Sequence, residues 1–180
     1  MCIRDRRDLD PLELRSRIVL LPQDAPLPAA DPRTAAAAVG AGGDDDALRA
    51  ALGAVGAELP GGLDTDWGPA GRALRPGLRQ QVALALVLLA DPDVVVLDEP
   101  TSALPARSAA AVERALTRVL AGRSVITVTH RVDTALAADR VVVLDGGRVV
   151  EDGAPAALLE RGGPFASLVA TATRAFTGTH

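Results

Sequence analysis

The spacing of apolar residues changes along the chain, from a helical pattern in its first half to short apolar runs in its second half. Between residues 24 and 90 the apolar positions recur with helical spacing, as in DDDALRAALGAVG, where Leu48, Leu52 and Val55 share one face. The segment LRQQVALALVLLA is apolar nearly all round, which predicts a buried helix. A Gly- and Pro-rich passage separates the two helices.

After the second helix, short apolar runs alternate with helical patterns. The segment SAAAVERALTRVLAG predicts an amphipathic helix with Val112, Leu116, Val119 and Leu120 aligned. It lies between two predicted strands, so we expect a right-handed parallel crossover. The residues DGG at 145–147 indicate a hairpin. Strands are predicted at residues 17–21, 94–97, 124–129, 140–144 and 148–152, and further helices at 132–138, 156–161 and 164–176.

These elements predict an α/β fold with a mainly parallel sheet, a helical insertion between Gln23 and about Ala90, and a C-terminal β-hairpin followed by helices. A chain of 180 residues with 48% hydrophobic content suffices for one globular domain or a large piece of one. All basic residues are arginine, and the net charge of −4 gives no electrostatic footprint for nucleic acid. One cysteine, Cys2, excludes an internal disulfide and fits a reducing compartment, the cytoplasm. The longest apolar run, Val82 to Ala90, is far below the roughly 20 residues that a membrane-spanning helix needs.

The candidate chemistry begins in VVVLDEPTSALP, where a buried run ends in two adjacent carboxylates, Asp98 and Glu99. In a parallel sheet, ligands bind beyond the carboxyl ends of the strands. Successive strand residues point to opposite faces, so one acid can hold a metal while the other addresses a water molecule, with Pro100 ending the strand. A solvated strand end with two incidental acids is the alternative for an isolated pair of this kind.

VVVLDEPTSAL resembles the Walker B motif and following loop of ATP-binding cassette (ABC) ATPases, and other motifs follow the family's order. Gln23 in LLPQD looks like the Q-loop glutamine, LRPGLRQQVALAL resembles the signature segment with its helix, and His130 in ITVTHR looks like the switch histidine. The end of the chain is similar to the tail of exporter-type cassettes. The resemblance implies a P-loop NTPase-like fold, with residues 7–23 as the end of the ATP-binding core, 24–90 as the helical subdomain, and 91–180 as the Walker B, D-loop, H-loop and C-terminal part.

The resemblance also implies roles for single residues, ATP and Mg²⁺ being the expected cofactors. Asp98 would hold Mg²⁺ and Glu99 would polarise the water that attacks the γ-phosphate. His130 would contact that phosphate, and Gln23 would reach the Mg²⁺ from the hinge of the helical insertion. In isolation, a strand-end histidine bonded to backbone and a loop glutamine would be the alternatives.

Several parts of the family pattern are missing or altered. The phosphate-cradling loop needs a lysine, and this chain has none, so we interpret residues 1–180 as the C-terminal part of an ABC ATPase domain. The first six residues, MCIRDR, fit nothing in the family pattern, and we expect them not to be native. The family's Leu-Ser-Gly-Gly-Gln is here LRPGL, in which Arg75 replaces a hydroxyl, Pro76 removes a backbone donor and Gly77 is retained. Pro105 stands where the D-loop usually has aspartate, and Pro69 where exporters often have glutamate.

The changes concentrate in parts that serve the other subunit's site, where Arg75 and Gly77 would bind its nucleotide. The parts that serve this chain's own site are retained. That asymmetry predicts one half of a heterodimeric exporter, paired with a second ABC ATPase subunit. The other partner would be a transmembrane domain, which we expect in the same full-length chain, and the ATPase part would lie at the cytoplasmic face of the inner membrane.

Two alternatives stay open at the level of sequence. The first alternative to an exporter subunit is an inactive fragment, because the chain lacks the lysine loop, and the second is part of a soluble ABC ATPase that acts on nucleic acid or the ribosome. The negative charge and the exporter-like tail argue against the second.

Overall fold

The computed structural model describes Asp10, Leu14 and residues 17–177, with side chains described as far as residue 174. The interpretation of Met1 to Arg6, Cys2 included, and that of most positions between Arg7 and Ser16, falls outside the described residues. The chain divides after Val128 into two compact units. The division into residues 7–23, 24–90 and 91–180 is a functional one and stays a prediction.

The first unit is built on a parallel sheet of three strands. Strands β1 (Ile18–Leu21), β2 (Val94–Asp98) and β3 (Ser124–Val128) lie in that order, with β2 in the middle and both pairs parallel. Between β2 and β3 runs helix α4 (Ala106–Val119), so the predicted strand–helix–strand unit is confirmed. One face of the sheet, with Leu21, Val95 and Leu97, belongs to the hydrophobic core.

Three helices occupy the segment between β1 and β2: α1 (Pro32–Ala38), α2 (Asp45–Ala54) and α3 (Pro76–Ala90). Helix α3 is buried on nearly all sides between Leu78 and Val87, as its composition predicts. Short 3₁₀ turns at Gly62–Asp64 and Pro69–Gly71 fill the passage before it. Within this segment the indole of Trp67 is 1% exposed and donates a hydrogen bond to the Ala29 carbonyl at 2.6 Å.

Local side chains fix where α1 and α2 begin. Asp31 and Asp44 cap them by accepting hydrogen bonds from the backbone N–H groups of Thr34 and Ala47. The guanidinium of Arg33 then joins the start of α2 to the first 3₁₀ turn through ion pairs with Asp45 and Asp64. Its hydrogen bonds hold the pKa of the Asp45 carboxyl below its usual range and raise the pKa of Arg33.

Helix α4 differs from its predicted pattern at one position. Val112, Leu116 and Leu120 are buried as expected, but Val119 is 45% exposed, so its assignment to the core face is wrong. The helix ends at Val119, and Gly122 follows in the turn before β3 with a positive φ of 84°. The last turn therefore presents only the 112–116–120 row to the core.

The second unit contains a short helix α5 (Val132–Leu136), an antiparallel hairpin of β4 (Val141–Asp145) and β5 (Arg148–Gly153), and helices α6 (Pro155–Arg161) and α7 (Pro164–Thr177). The hairpin turns at Gly146 and Gly147, whose φ angles of 52° and 75° are those of the tight turn that DGG predicts. The side chains of Leu158 and Phe165, in helices α6 and α7, are buried within this second unit. None of the helices in the described part of the chain is long and apolar enough to span a membrane.

Candidate functional site

The loop from Asp98 to Leu104 follows β2 at the carboxyl end of the sheet. We expected Pro100 to end the strand, but β2 ends two residues earlier, at Asp98. The alternation of the strand puts Asp98 on the face opposite the buried Val95 and Leu97. Asp98 is half-buried, and it is the last residue whose direction the sheet sets.

Glu99 turns the chain out of the sheet. Its φ angle is 45°, in the left-handed region that residues with a side chain rarely adopt. Its backbone N–H donates to the Val128 carbonyl at 2.9 Å, which continues the contact with β3 for one more residue. Strand alternation therefore applies to Asp98, whereas the side chain of Glu99 is placed by this backbone turn.

Gln23 and Glu99 lie side by side, although 76 positions separate them in the sequence. The Nε2 of Gln23 donates to Glu99 Oε2 at 3.2 Å and reaches Ser102 Oγ at 3.5 Å. Parallel pairing of Leu21 with Leu97 explains this meeting, because it carries both chains to the same edge of the sheet. Gln23 is exposed and Glu99 is half-buried.

A second glutamine, Gln80, approaches the same loop from helix α3. Its Nε2 donates to the Glu99 carbonyl at 3.1 Å and to Ser102 Oγ at 3.4 Å, and its Oε1 accepts the backbone N–H of Ala103 at 3.1 Å. Gln80 is 7% exposed. Sequence reasoning did not single it out, although an amide in a mainly apolar helix that is predicted to be buried is a signal, since buried polar groups need partners.

The loop has a third support in helix α4. The hydroxyl of Thr101, which is 3% exposed, donates to Glu113 Oε1 at 2.7 Å. Thr101 was also missed by sequence reasoning. The loop after β2 is thus held from β1, α3 and α4, and Glu99 lies at its start.

The segment Leu74–Leu78 begins helix α3 and packs against this loop. Pro76 is the first helical residue and Arg75 precedes it without a side-chain capping bond; both are exposed. A Cβ on Gly77 would lie 3.0 Å from the Ala103 carbonyl oxygen and 3.2 Å from a Leu104 methyl carbon. The glycine therefore allows a close approach between the helix and the loop.

His130 belongs to the second unit, where it follows β3 and is exposed. On one side of it, Thr129 Oγ1 accepts the backbone N–H of Arg131 at 3.0 Å, and Arg131 pairs with Asp133 at 2.6 Å. The first unit alone brings together Gln23, Asp98, Glu99 and Gly77 around the loop.

The donor atoms at the edge of β1 and β2 suit a hard cation. Asp98 offers a carboxylate, and Gln23 makes its two bonds through Nε2, so that its Oε1 takes no part in them. No group of three or more His, Cys, Asp or Glu side chains in the described residues could hold a metal ion. Mg²⁺ needs no such group, because it keeps several waters and is usually held by one or two carboxylates together with substrate phosphates.

Comparison with known proteins shows which proteins this chain is similar to. The chain is 46% identical over 111 residues to the ATP-dependent lipid A-core flippase of Alkalilimnicola ehrlichii, a match that covers 62% of this chain and 19% of the relative. It is 38% identical over 161 residues to the ATP-dependent lipid A-core flippase of Burkholderia pseudomallei, covering 87% of this chain and 27% of that relative. The solved structure of a bacterial Atm1-family ABC exporter with ATP bound superposes with a TM-score of 0.80 and 32% identity, over 90% of this chain and 30% of the other. The resemblance to ABC exporters is confirmed.

The α/β fold class predicted from the sequence is confirmed by the same neighbour. No protein-family model matches the chain. The chain spans about a fifth to a quarter of the length of these curated relatives. The assignment of the loop with Glu99 to the Walker B end and D-loop, of Gln23 to the Q-loop and of Leu74–Leu78 to the signature stays a prediction.

Proposed function

We propose that this chain is the ATP-hydrolysing part of a membrane ABC exporter, in which hydrolysis at a dimer interface drives translocation of a substrate. The observation that carries the proposal is the meeting of Gln23 and Glu99, at 3.2 Å, beyond the carboxyl ends of two parallel strands. An incidental pair of acids at a strand end would not explain why a distant glutamine is placed against one of them. The names of the relatives, ATP-dependent flippases, support the same function.

The roles follow from the chemistry of each group. Asp98 and Gln23 would hold Mg²⁺, which, when bound, neutralises phosphate charge. Glu99 would accept a hydrogen bond from the attacking water and orient it, while Gln23 holds the Glu99 carboxylate at Oε2. His130 would contact the γ-phosphate. The 180 residues alone are expected to bind ATP poorly, because the chain contains no lysine for a phosphate-cradling loop.

Two partners belong to the proposal. A transmembrane domain would make the translocation path, and the ATPase part would lie on the cytoplasmic face of the inner membrane. A second ABC ATPase subunit would supply an intact signature to the site at Glu99, while Arg75 and Gly77 would serve the other site less well. The exposed Arg75 and Pro76 at the start of α3 support a heterodimer, since the proline offers an anion no backbone N–H.

The test is Mg²⁺-dependent ATPase activity of the full-length protein that contains this chain, alone and mixed with candidate second subunits. We expect Glu99→Gln to lower the rate by about 10²–10⁴-fold, the usual contribution of a positioned base. Glu113→Gln, a change of the same kind on helix α4, serves as the control and should leave most of the rate. Full activity of Glu99→Gln would contradict the assignment of the catalytic glutamate. Equal activity of the protein alone and of the mixture would contradict the heterodimer.

A further inference from the structure

Helix α3 carries two adjacent buried glutamines that bond to different parts of the first unit. Gln80 is 7% exposed and Gln81 is 9% exposed. Gln81 donates to the carbonyls of Val55 and Gly56, at 2.7 Å and 2.9 Å, where helix α2 ends. Gln80 bonds to the loop after β2 instead. Both glutamines satisfy the hydrogen-bonding needs of a buried amide, but only Gln80 contacts the loop of the candidate site. Gln81 is therefore a matched control for Gln80.

The contacts of Gln80 reach both ends of the short turn that Glu99 begins. Its Nε2 donates to the carbonyl of Glu99, and its Oε1 accepts the N–H of Ala103, at 3.1 Å in each case. Inside that span the N–H of Ser102 donates to the Glu99 carbonyl at 3.1 Å, which closes a turn. The side-chain amide of Gln80, which is not part of the turn, therefore holds the Glu99 carbonyl and the Ala103 N–H at a fixed separation.

A turn of this kind needs outside support because of the backbone at Glu99. A left-handed φ is unfavourable for a residue with a side chain and persists only where the surroundings determine it. The Gln80 bond fixes the carbonyl of Glu99, and the Val128 carbonyl fixes its N–H. The direction of the Glu99 carboxylate starts from this backbone, because the backbone angles of a residue set where its side chain leaves the chain.

We infer that Gln80 is a positioning residue, which holds the Glu99 backbone in the left-handed turn and thereby sets the direction of the Glu99 carboxylate. Gln80 lies one helical turn after Gly77, on the same face of α3, and Gly77 packs against Ala103. The start of helix α3 thus contacts the loop at two residues, Gly77 and Gln80. A movement of this helix would therefore move the backbone of Glu99 through its hydrogen bond with Gln80. This inference rests on the proposed role of Glu99.

The experiment compares Gln80→Leu with Gln81→Leu in the full-length protein, measuring kcat and KM for ATP. Both substitutions remove a buried amide from the same helix, so loss of stability alone should affect the two variants alike. We expect Gln80→Leu to lower kcat by at least about tenfold, with KM changed less than about twofold, because misplacement of a catalytic group acts on the chemical step. Gln81→Leu should leave kcat within about threefold of the unchanged protein.

A second pair of variants keeps the inference testable should the leucine variants not fold. In Gln80→Glu the protonated carboxyl can still donate to the Glu99 carbonyl and accept from Ala103, whereas the ionised form offers the Glu99 carbonyl no donor. Burial raises the pKa of such a carboxyl, so protonation should occur within the working range of pH. We expect the ratio of its kcat to that of the unchanged protein to rise as the pH falls from about 8 to 6, and the same ratio for Gln81→Glu to stay level.

The outcomes separate the inference from the proposed function. Loss of activity in Glu99→Gln, together with equal kcat values for Gln80→Leu and Gln81→Leu or a level pH ratio for Gln80→Glu, would overturn the positioning role and leave the proposed function standing. Full activity of Glu99→Gln would overturn both.

Discussion

The loop from Asp98 to Leu104 and the segment from Leu74 to Leu78 touch each other, but they are held in opposite ways. The loop is bonded from three sides, by Gln23, Gln80 and Glu113. The segment from Leu74 to Leu78 leads into a helix without a side-chain cap, with an exposed arginine at the cap position and an exposed proline as the first helical residue. Gly77 lies close to the loop at Ala103 and Leu104.

The difference explains how the segment can depart from the ABC pattern without cost to the fold. Pro76 is the first residue of α3, where a backbone N–H has no partner within the helix, so a proline removes nothing that the fold uses. Pro105 precedes α4 as its N-terminal cap residue, where it likewise disturbs no helical bond. Any consequence of these prolines must therefore appear in what the helix ends bind. In the loop, by contrast, substitution of Glu99 or Thr101 would remove a side-chain hydrogen bond within this chain.

The largest effect that we predict at the contact itself comes from Gly77→Ala. The added methyl group would meet the Ala103 carbonyl oxygen at 3.0 Å, so the loop or the helix must shift by a few tenths of an ångström. A shift of the loop moves Glu99, and we expect the ATPase rate to fall by about tenfold. The control is Gly53→Ala in helix α2, where an added methyl group meets nothing within 4 Å. If Gly77→Ala has the full rate, the contact does not hold the loop in place.

A smaller and opposite effect is predicted for the paired change Arg75→Ser and Pro76→Gly, which restores the first four residues of the ABC signature and leaves Leu78 in the fifth position. It returns one backbone N–H and one hydroxyl to the start of α3, and a single bond to an anion contributes about 1.5–3 kcal/mol, part of which Arg75 already supplies by its charge. We expect the ATPase rate of the full-length protein, purified without a second subunit, to rise several-fold. Arg72→Ser, which also removes an exposed arginine just before the helix, should leave the rate unchanged. An unchanged rate for the paired variant would show that LRPGL serves as well as the family sequence.

Most of the fold could be predicted from the sequence, because apolar spacing and turn residues act locally. The strand of VVVL, the buried helix α3 and the DGG hairpin follow from such patterns. The first residues of helices were predicted less accurately. Helix α3 begins at Pro76, two residues before the predicted start at Leu78, because a proline fits in the first turn of a helix. The exposure of Val119 depends on where α4 ends against the sheet, which helical spacing alone does not contain.

The candidate site was predictable only in part. Asp98, Glu99 and Gln23 stand in recognisable motifs at strand ends, and the structure brings the last two into contact. The supports of the loop are long-range bonds between α3, α4 and the turn after β2, and no spacing rule relates Gln80 to Ala103 or Thr101 to Glu113. The cue that the sequence offers for Gln80 is a polar side chain in a mainly apolar helix, since a buried polar group needs a partner.

The smallest effect on activity is predicted for Thr101→Val, which tests whether all supports of the loop matter equally. The valine keeps the volume of the threonine but removes the bond to Glu113, so the free energy of unfolding of the purified chain in urea should fall by about 1–2 kcal/mol. Thr101→Ser keeps a hydroxyl at the same place, so its free energy of unfolding should fall by less than that of Thr101→Val. The bond reaches the loop from the side of α4 and does not involve Glu99, so the ATPase rate of the full-length protein should change by less than about threefold. A fall as large as that of Gly77→Ala would mean that Glu99 depends on α4 as much as on α3, and the signature helix would then have no special hold on the catalytic turn.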